Sequence, residues 1–384
     1  MTRVAYVSTY VPQKCGLATY TFHLRQAVNN AKGWKGKDPV VVLTENPADR
    51  SGDPVLWPLQ RNQVEDYAKM ARKINGSDID VVSLQHEFGI FGGEAGDHIL
   101  TFIQNLKKPL ITTFHTVFKK PEPPYASIQR EIAEKSAKII VMNRKAIAYL
   151  QEAYGIPKEK ICFIPHGTPE PSSEKRQHVR EQLGWQNRKV LMTFGLLSRG
   201  KGIELILKAL PEIARRIPNV LYVIAGQTHP EIRKREGESY RNELQEQIRT
   251  SGMQQHVAMI DKYMDEDELI KHISACDIYV TPYPGMQQIT SGTLAYAVGL
   301  GRPVLSTPYA YAQDLLSDYP ELLLPYENEQ AWIDKTVSLL TNDPLLKSWN
   351  KRMERIGETM HWPVIGRQHA SLFAEVRERE SVIS

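Results

Sequence analysis

Residues 190–210 read VLMTFGLLSRGKGIELILKAL and decide the fold class. The segment begins with an apolar run typical of a buried β-strand, passes through a glycine-rich turn, and continues as a helix-forming stretch over 203–210. A strand, a short turn and a helix in this order are the repeating unit of a parallel α/β sheet.

Similar strand-like runs recur along the whole chain. In the first half they are residues 4–8, 40–44, 79–85, 110–115, 139–142 and 161–165, and in the second half 190–194, 221–225, 257–260, 278–281, 303–306 and 322–324. Their continuous apolar character indicates strands that are buried on both faces. Helical patterns lie between them, for example Tyr67, Met70, Ala71 and Ile74, and later 330–340. We predict an α/β protein with two Rossmann-like, doubly wound domains that bind ligands at the carboxyl ends of their strands.

The length of 384 residues favours two domains. Between the two series of strands, residues 168–175 are polar and contain two prolines, which is typical of a linker. We place the first domain at 1–170 and the second at 171–360. Residues 361–384 are expected to form a C-terminal helix, which can pack on either domain, including back on the first.

Composition excludes several classes of protein. The sequence has no apolar run of about 18 residues and no signal-peptide pattern, so we expect a cytoplasmic protein without an integral membrane segment. Cys15, Cys162 and Cys276 lie far apart, which argues against a disulfide framework and against a thiolate zinc site. A net charge of +4 is too mild to indicate a nucleic-acid partner.

Two strand-to-helix turns are candidates for binding an anion. Arg199 and Lys201 lie among the glycines that follow 190–194, where a guanidinium and an ammonium suit a diphosphate. The alternative is ordinary solvated surface charge. Gly16 lies in the turn after the first strand, where its backbone can approach a phosphate or a sugar oxygen. A tight turn without a ligand is equally compatible with that segment.

A third candidate lies in residues 287–297. Thr290 and Ser291 are residues that commonly cap helices, so a helix is expected to open near Thr290. The backbone amides of Ser291, Gly292 and Thr293 would then form an anion site at the helix N-terminus. A purely structural cap is the alternative.

Two histidines follow strands. His115 ends the run 110–115 and is expected to face the binding crevice, and His166 ends the last strand before the linker. For His115 the alternative is a structural histidine, and for His166 a turn or hinge role fits as well as contact with a ligand. Neither belongs to an HxxxH pattern or an acidic pair, so we expect no metal site.

Together these segments resemble glycosyltransferase family 4. The resemblance depends on residues 195–202, on Ile164-Pro165-His166-Gly167, and on the A-x-x-x-G-x-P-V pattern of 297–304, which occur in the family's order and at about its spacing. Residues 15–19, 85–93, 228–230 and 288–294 are further similar to a bacterial subgroup of that family. The resemblance implies the GT-B fold, in which two Rossmann-like domains face each other across a cleft. It also implies transfer of a hexose, glucose or mannose, from a nucleotide diphosphate sugar to a sugar or glycan acceptor, with retention of configuration and without a metal or other cofactor.

The resemblance also assigns roles to residues. It implies that Lys201 contacts the donor diphosphate, that Gly16 and Gly195 lie in loops beside the donor, and that His115 is near the transferred hexose. Leu196 occupies a position where the family usually has arginine, so Arg199 is expected to supply that charge.

The family's E-x7-E motif is altered in this sequence. Gln288 replaces the glutamate that contacts the hexose, and Tyr296 replaces the glutamate that binds the ribose. The altered motif keeps a non-catalytic protein that binds nucleotide sugars as one alternative. A phosphorylase or epimerase of the same fold, which would use the same cleft, is the other. In the transferase, Lys201, Arg199 and the amides around 291–293 would stabilise the leaving diphosphate.

Overall fold

A computed structural model describes residues 1–34, 38–46 and 54–383. The chain divides into two compact units. Unit 1 consists of Met1–Gly167 and the chain from Trp362 onward, and unit 2 consists of Thr168–His361. Each unit is an α/β structure built on a parallel sheet, as the sequence predicts.

Unit 1 contains a seven-stranded parallel sheet in the order β3-β2-β1-β4-β5-β6-β7. Its strands are β1 (Val4–Ser8), β2 (Val40–Thr44), β3 (Leu56–Gln60), β4 (Val81–His86), β5 (Leu110–Phe114), β6 (Lys138–Val141) and β7 (Ile161–Phe163). Its helices are α1 (Gly16–Ala31), α2 (Val64–Asn75), α3 (His98–Asn105), α4 (Tyr125–Lys135), α5 (Arg144–Tyr154) and α15 (Trp362–Ile383). The strand order reverses between β1 and β4, which is the position where doubly wound sheets bind their ligands.

Unit 2 contains a five-stranded parallel sheet in the order β10-β9-β8-β11-β12. Its strands are β8 (Lys189–Phe194), β9 (Val220–Ala225), β10 (Val257–Ile260), β11 (Ile278–Thr281) and β12 (Val304–Ser306). Its helices are α6 (Arg176–Gln182), α7 (Ile203–Arg216), α8 (Pro230–Glu236), α9 (Ser239–Thr250), α10 (Glu266–Ala275), α11 (Gly292–Gly299), α12 (Ala310–Leu315), α13 (Glu329–Thr341) and α14 (Asp343–Glu358). Across the described residues, no helix of either unit has the length and apolar character needed to span a membrane.

The cores follow from the apolar patterns in the sequence. All residues of β1, β4, β5 and β9 are buried, because helices cover both faces of the sheets. The predicted apolar face of α2 is buried as well. In unit 1, α15 packs on α1, and Ile365 and Phe373 of α15 are fully buried. A side chain at Gly366 would collide with the backbone of Ala27, so this glycine permits the two helices to approach closely.

Two strand predictions were wrong. The strand β3 was missed, because Pro58 interrupts its sequence and proline lacks the amide that an inner strand requires. Among the described strands β3 lies at the edge of the sheet and pairs with β2, so the proline is tolerated there. Conversely, the predicted strand at 322–324 forms only an isolated bridge between Leu323 and Ser306. A short 3-10 turn, Pro320–Leu322, leads into it.

One helix boundary also differs from the prediction. The sequence places Gly16 in the turn after the first strand, but Gly16 is the first residue of α1. Cys15 is its N-cap, and the Cys15 Sγ accepts a hydrogen bond from the Ala18 amide at 3.4 Å. A thiol is a less familiar cap than a hydroxyl or carboxylate, which is why the pattern did not reveal it.

Candidate functional site

The turn after β8 brings an ammonium group against the backbone of a glycine. Gly195 has a φ of +128°, a conformation that side-chain-bearing residues rarely adopt. A β-carbon at this position would lie 3.3 Å from the Lys201 Nζ and 3.3 Å from the Thr293 Cγ2. Glycine therefore leaves room beside Lys201 and Thr293 that any other residue would occupy.

Lys201 is the first member of a hydrogen-bonded array in unit 2. Its Nζ donates to the Tyr283 hydroxyl at 2.9 Å. The Tyr283 hydroxyl is 2.9 Å from the Thr293 Oγ1, which in turn is 3.2 Å from the Ser291 Oγ. The array fixes the position of the ammonium group beside the first residues of α11, and we call Gly195, Lys201, Tyr283, Ser291 and Thr293 the Lys201 cluster.

The N-terminus of α11 belongs to this cluster. Ser291 is the N-cap, and its Oγ accepts a hydrogen bond from the Leu294 amide at 3.3 Å. The helix therefore begins at Gly292, two residues after the predicted opening at Thr290. The amides of Gly292 and Thr293 are in the first turn and have no partner within the helix. Together with the Lys201 ammonium, these amides form an arrangement that suits a phosphate group.

Arg199 lies elsewhere, although only one residue separates it from Lys201. Its guanidinium donates two hydrogen bonds to the Glu243 carboxylate, each at 2.6 Å, on the exposed surface of unit 2. Residues 199–201 form a 3-10 turn, in which each residue rotates the side chain by about 120°, so the two cations point in different directions. The structure thus gives Arg199 a carboxylate partner, and its contact with a diphosphate stays a prediction.

The two altered motif positions have different surroundings. Gln288 is exposed, and its side-chain amide donates to the Thr290 carbonyl at 2.9 Å. Tyr296 is 8% exposed and lies on α11, with its ring 6.4 Å from that of Phe194. The Tyr296 hydroxyl donates to the Glu266 Oε1 at 3.0 Å. A carboxylate is therefore present beside this position, although another helix supplies it.

In unit 1, His115 directly follows β5. Its Nε2 lies 3.0 Å from the Gln85 Oε1, and because an amide oxygen only accepts, the imidazole is the donor. Gln85 itself donates through its Nε2 to the Ser83 hydroxyl at 3.2 Å, so both ends of its amide have a partner. Burial lowers the pKa of His115 to about 3, and the neighbouring His166 and His86 contribute in the same direction. His115 is therefore a neutral hydrogen-bonding group at physiological pH.

Two further histidines of unit 1 are neutral for the same reason. His166 interacts through its Nδ1 with the Gly167 carbonyl at 2.7 Å, and burial lowers its pKa to about 4. Burial lowers the pKa of His86 to about 3. The ring of Tyr20 lies edge-on to both His115 and His166, at centroid distances of 5.0 and 5.1 Å. The end of this sheet therefore carries polar but uncharged rings.

Gly16 and Glu87 lie after two further strands of unit 1, β1 and β4. Gly16 is the first residue of α1, and apart from its chain neighbours and its own helix no described residue comes within 4 Å of the place where its side chain would be. Glu87 follows β4 and accepts hydrogen bonds from the Phe88 amide at 3.0 Å and from the Thr116 hydroxyl at 2.7 Å. Burial raises the pKa of Glu87. Its carboxylate therefore holds the loop after β4 against the segment after β5.

The structure brings some of the predicted residues together, and it adds residues that the sequence did not indicate. The predicted Gly195, Lys201 and 291–293 meet in one cluster, while Arg199 and Gln288 are turned toward other partners. Tyr283 and Glu266 were not predicted. Tyr283 comes two residues after β11 ends, a position that could have suggested it. Nowhere in 1–34, 38–46 or 54–383 do three or more His, Cys, Asp or Glu side chains form a group that could hold a metal ion.

Two family models match the sequence. The model described as Glycosyltransferase Family 4 matches residues 16–170, and the model described as Glycosyl transferases group 1 matches residues 188–342. Among curated relatives, a GDP-mannose-dependent alpha-(1-6)-phosphatidylinositol monomannoside mannosyltransferase from Mycolicibacterium smegmatis is 25% identical over 157 residues, which is 40% of this chain and 38% of that protein. The matched stretches cover between 32% and 54% of the first three curated relatives.

Solved structures share the fold over nearly the whole chain. The Anabaena protein HepE in complex with UDP has a TM-score of 0.76 at 15% identity, and the match covers 97% of this chain and 100% of that chain. Sucrose-phosphate synthase from Thermosynechococcus elongatus has a TM-score of 0.77 at 17% identity and covers 98% of this chain and 99% of that chain. At these identities the similarity establishes the fold.

Proposed function

Because the chain belongs to family 4 of the glycosyltransferases and has the GT-B fold, we propose that it is a retaining hexosyltransferase. It transfers a hexose from a nucleotide diphosphate sugar to a sugar or glycan acceptor. The observation that carries this proposal is the Lys201 cluster, in which an ammonium group and the first amides of α11 lie together. Such an arrangement suits the diphosphate of the donor.

The chemistry that the cluster supports is the departure of the diphosphate. When the bond between the anomeric carbon and the phosphate oxygen breaks, negative charge grows on that oxygen. The Lys201 ammonium and the amides of Gly292 and Thr293 stabilise this charge because they are already oriented before the reaction. The departing phosphate oxygen accepts the proton of the attacking acceptor hydroxyl on the same face of the sugar. This scheme needs no divalent metal and no protein nucleophile.

The two units have different roles in this proposal. Unit 2 binds the nucleotide sugar, because it carries the cationic cluster. Unit 1 serves the acceptor side, where neutral polar groups such as the His115 imidazole suit uncharged hydroxyls. We place the reaction in the cytoplasm, without a nucleic-acid partner.

The hexose is proposed to be glucose or mannose. The mycobacterial relative is named for GDP-mannose, and HepE was crystallised with UDP, so GDP-mannose and UDP-glucose are the first donors to test. The acceptor is a carbohydrate.

Thermal unfolding with UDP, GDP and ADP is the first experiment, since a ligand at roughly 100 times its dissociation constant stabilises a protein by about 2.7 kcal/mol. The second is incubation with UDP-glucose and GDP-mannose plus a panel of sugar acceptors, with and without EDTA. The proposal is supported if transfer occurs in the presence of EDTA and NMR shows that the product retains the anomeric configuration of the donor.

Other outcomes of the same incubation contradict it. Isomerisation of the donor would identify an epimerase, and a requirement for inorganic phosphate would identify a phosphorylase. Binding without any turnover would identify a non-catalytic protein that binds nucleotide sugars. Activity that disappears with EDTA and returns with Mg²⁺ would contradict the metal-free mechanism alone.

A further inference from the structure

Within unit 2, a tyrosine of α11 holds a carboxylate of α10. The Tyr296 hydroxyl donates to the Glu266 Oε1 at 3.0 Å, although 30 residues separate the two in the sequence. Glu266 is the first residue of α10 and is partly exposed, whereas Tyr296 is 8% exposed. A buried phenol therefore fixes the position of a carboxylate that solvent and ligands can reach.

The pair is close to the Lys201 cluster. Tyr296 follows Gly292 by four residues, which is about 6 Å along the helix axis at a rise of 1.5 Å per residue. Side chains on a helix lean toward its N-terminus, so the Tyr296 ring extends toward the end of α11 that carries the free amides. The ring also lies 6.4 Å from that of Phe194, the residue that immediately precedes Gly195. The Glu266 carboxylate is thus held next to the proposed diphosphate site.

A nucleoside diphosphate carries the two vicinal hydroxyls of its ribose close to the diphosphate. A carboxylate beside a phosphate site commonly binds these hydroxyls, since each of its oxygens accepts hydrogen bonds. A phenol has one hydroxyl, and at position 296 that hydroxyl already donates to Glu266. The tyrosine is therefore suited to orient a carboxylate and not to replace one.

We propose that Glu266 accepts hydrogen bonds from the ribose hydroxyls of the bound nucleotide and that Tyr296 is the positioning residue that orients its carboxylate. This inference rests on the proposed function, because it assumes that a nucleotide diphosphate occupies the Lys201 cluster. It goes beyond that function by assigning recognition of the ribose to a residue outside α11.

The test is calorimetry of ribonucleotides and their 2′-deoxy analogues, UDP against 2′-deoxy-UDP and GDP against 2′-deoxy-GDP. The wild-type protein should prefer the ribonucleotide. Glu266→Gln should weaken ribonucleotide binding by about tenfold or more, as expected for a hydrogen bond to a charged group. It should weaken binding of the 2′-deoxy analogue less, because that analogue offers the carboxylate only its 3′-hydroxyl, so most of the preference for the ribonucleotide disappears. Tyr296→Phe should reduce the preference partly, because the carboxylate remains but is less well oriented.

Asp267→Asn is the matched control. Asp267 is the next residue in the first turn of α10 and is exposed, so this variant also removes one carboxylate from the helix N-terminus. It should bind both nucleotides like the wild type. If Glu266→Gln fails to fold, the inference is still tested by two measurements. These are the preference of the wild type for the ribonucleotide and the reduction of that preference in Tyr296→Phe.

The experiment distinguishes a failure of this inference from a failure of the proposed function. Equal binding of ribo- and 2′-deoxynucleotides by the wild type, or a preference that survives in Glu266→Gln, overturns the inference while leaving the proposed function intact. If the wild type binds none of UDP, GDP and ADP, the proposed function and the inference are both overturned.

Discussion

Unit 1 and unit 2 place different side chains at the carboxyl ends of similar parallel sheets. In unit 1, β4 ends with Gln85 and His86, and His115 follows β5; these three side chains are neutral and buried or half-buried. In unit 2, β8 and β11 are followed by Lys201 and Tyr283, next to the N-terminus of α11. Apolar strands alone are sufficient to build both sheets, so the chemistry depends on the few residues after each strand. One repeated architecture thus carries neutral imidazoles in one unit and a cationic cluster in the other.

The largest expected difference between the units is their response to acid. Burial lowers the pKa of His86 and His115 to about 3 and that of His166 to about 4. The unfolded chain, whose histidines titrate near pH 6.5, therefore binds more protons than the folded unit. The stabilisation from each neutral histidine is complete above that pH. It falls by at most about 1.4 kcal/mol per pH unit as the pH drops toward 3 or 4.

Hydrogen exchange followed between pH 7 and pH 4.5 tests this prediction. After correction for the intrinsic exchange rate, β4 and β5 should lose protection at a higher pH than β8 and β11. His86→Phe is the matched variant, since neither ring nitrogen of His86 has a hydrogen-bond partner among the described residues. In His86→Phe the free energy of unfolding should fall less steeply as the pH decreases. Simultaneous loss in both units, or earlier loss in unit 2, would remove this difference between them.

Lys201→Ala should have the next largest effect, a loss of nucleotide affinity in unit 2. Losing a charge-assisted contact with the diphosphate costs about 1.5–3 kcal/mol, or roughly 10-fold to 150-fold in affinity for UDP or GDP. Calorimetry measures this directly. The control is Lys208→Ala on the neighbouring helix α7, where Lys208 pairs with Glu329 at 2.8 Å on the surface. Unchanged binding in Lys201→Ala would place the phosphates outside the Lys201 cluster.

Tyr283→Phe should have a smaller effect of the same kind. The variant keeps the ring that stacks on Tyr309 at 5.2 Å but removes the hydroxyl between Lys201 and Thr293. One neutral hydrogen bond is worth about 0.5–1.5 kcal/mol, or roughly twofold to twelvefold in nucleotide affinity. Titration of the variant with the better-bound nucleotide measures the change. A loss equal to that of Lys201→Ala would mean that the hydroxyl contacts the ligand itself.

Arg199→Ala should have the smallest effect. Its guanidinium is exposed and already paired with Glu243, so we expect a change in nucleotide affinity within about 0.5 kcal/mol. Titration of Arg199→Ala with the better-bound nucleotide measures this change. A loss comparable to that of Lys201→Ala would show that Arg199 leaves Glu243 when the donor binds, as the sequence resemblance implies.

The sheets could be predicted from sequence because their strands are apolar and short. The predicted limits of β1, β2, β10 and β11 agree with the structure at both ends. Errors occurred where the local pattern was ambiguous. Pro58 concealed an edge strand, and the leucines at 322–324 form a 3-10 turn and a single bridge where a strand was expected. Periodicity does not reveal how many neighbours a strand has, which decides both cases.

The candidate site could be predicted only in part for a related reason. Gly195, Lys201 and the residues capping α11 have recognisable local patterns. Tyr283 reaches Lys201 across 82 residues and Glu266 reaches Tyr296 across 30, so both contacts depend on the tertiary structure. The direction of Arg199 depends on a short 3-10 turn, and composition alone does not distinguish such a turn from an extended loop.

The way α15 completes unit 1 has a consequence for synthesis on the ribosome. All of unit 2 lies between the two stretches of sequence that form unit 1, so unit 2 is translated in full before α15 exists. Domains generally fold as units while the chain grows at about 5–20 residues per second. We therefore expect unit 2 to acquire its core first. The face of α1 that later packs against α15 then stays uncovered during translation, where it is open to chaperones.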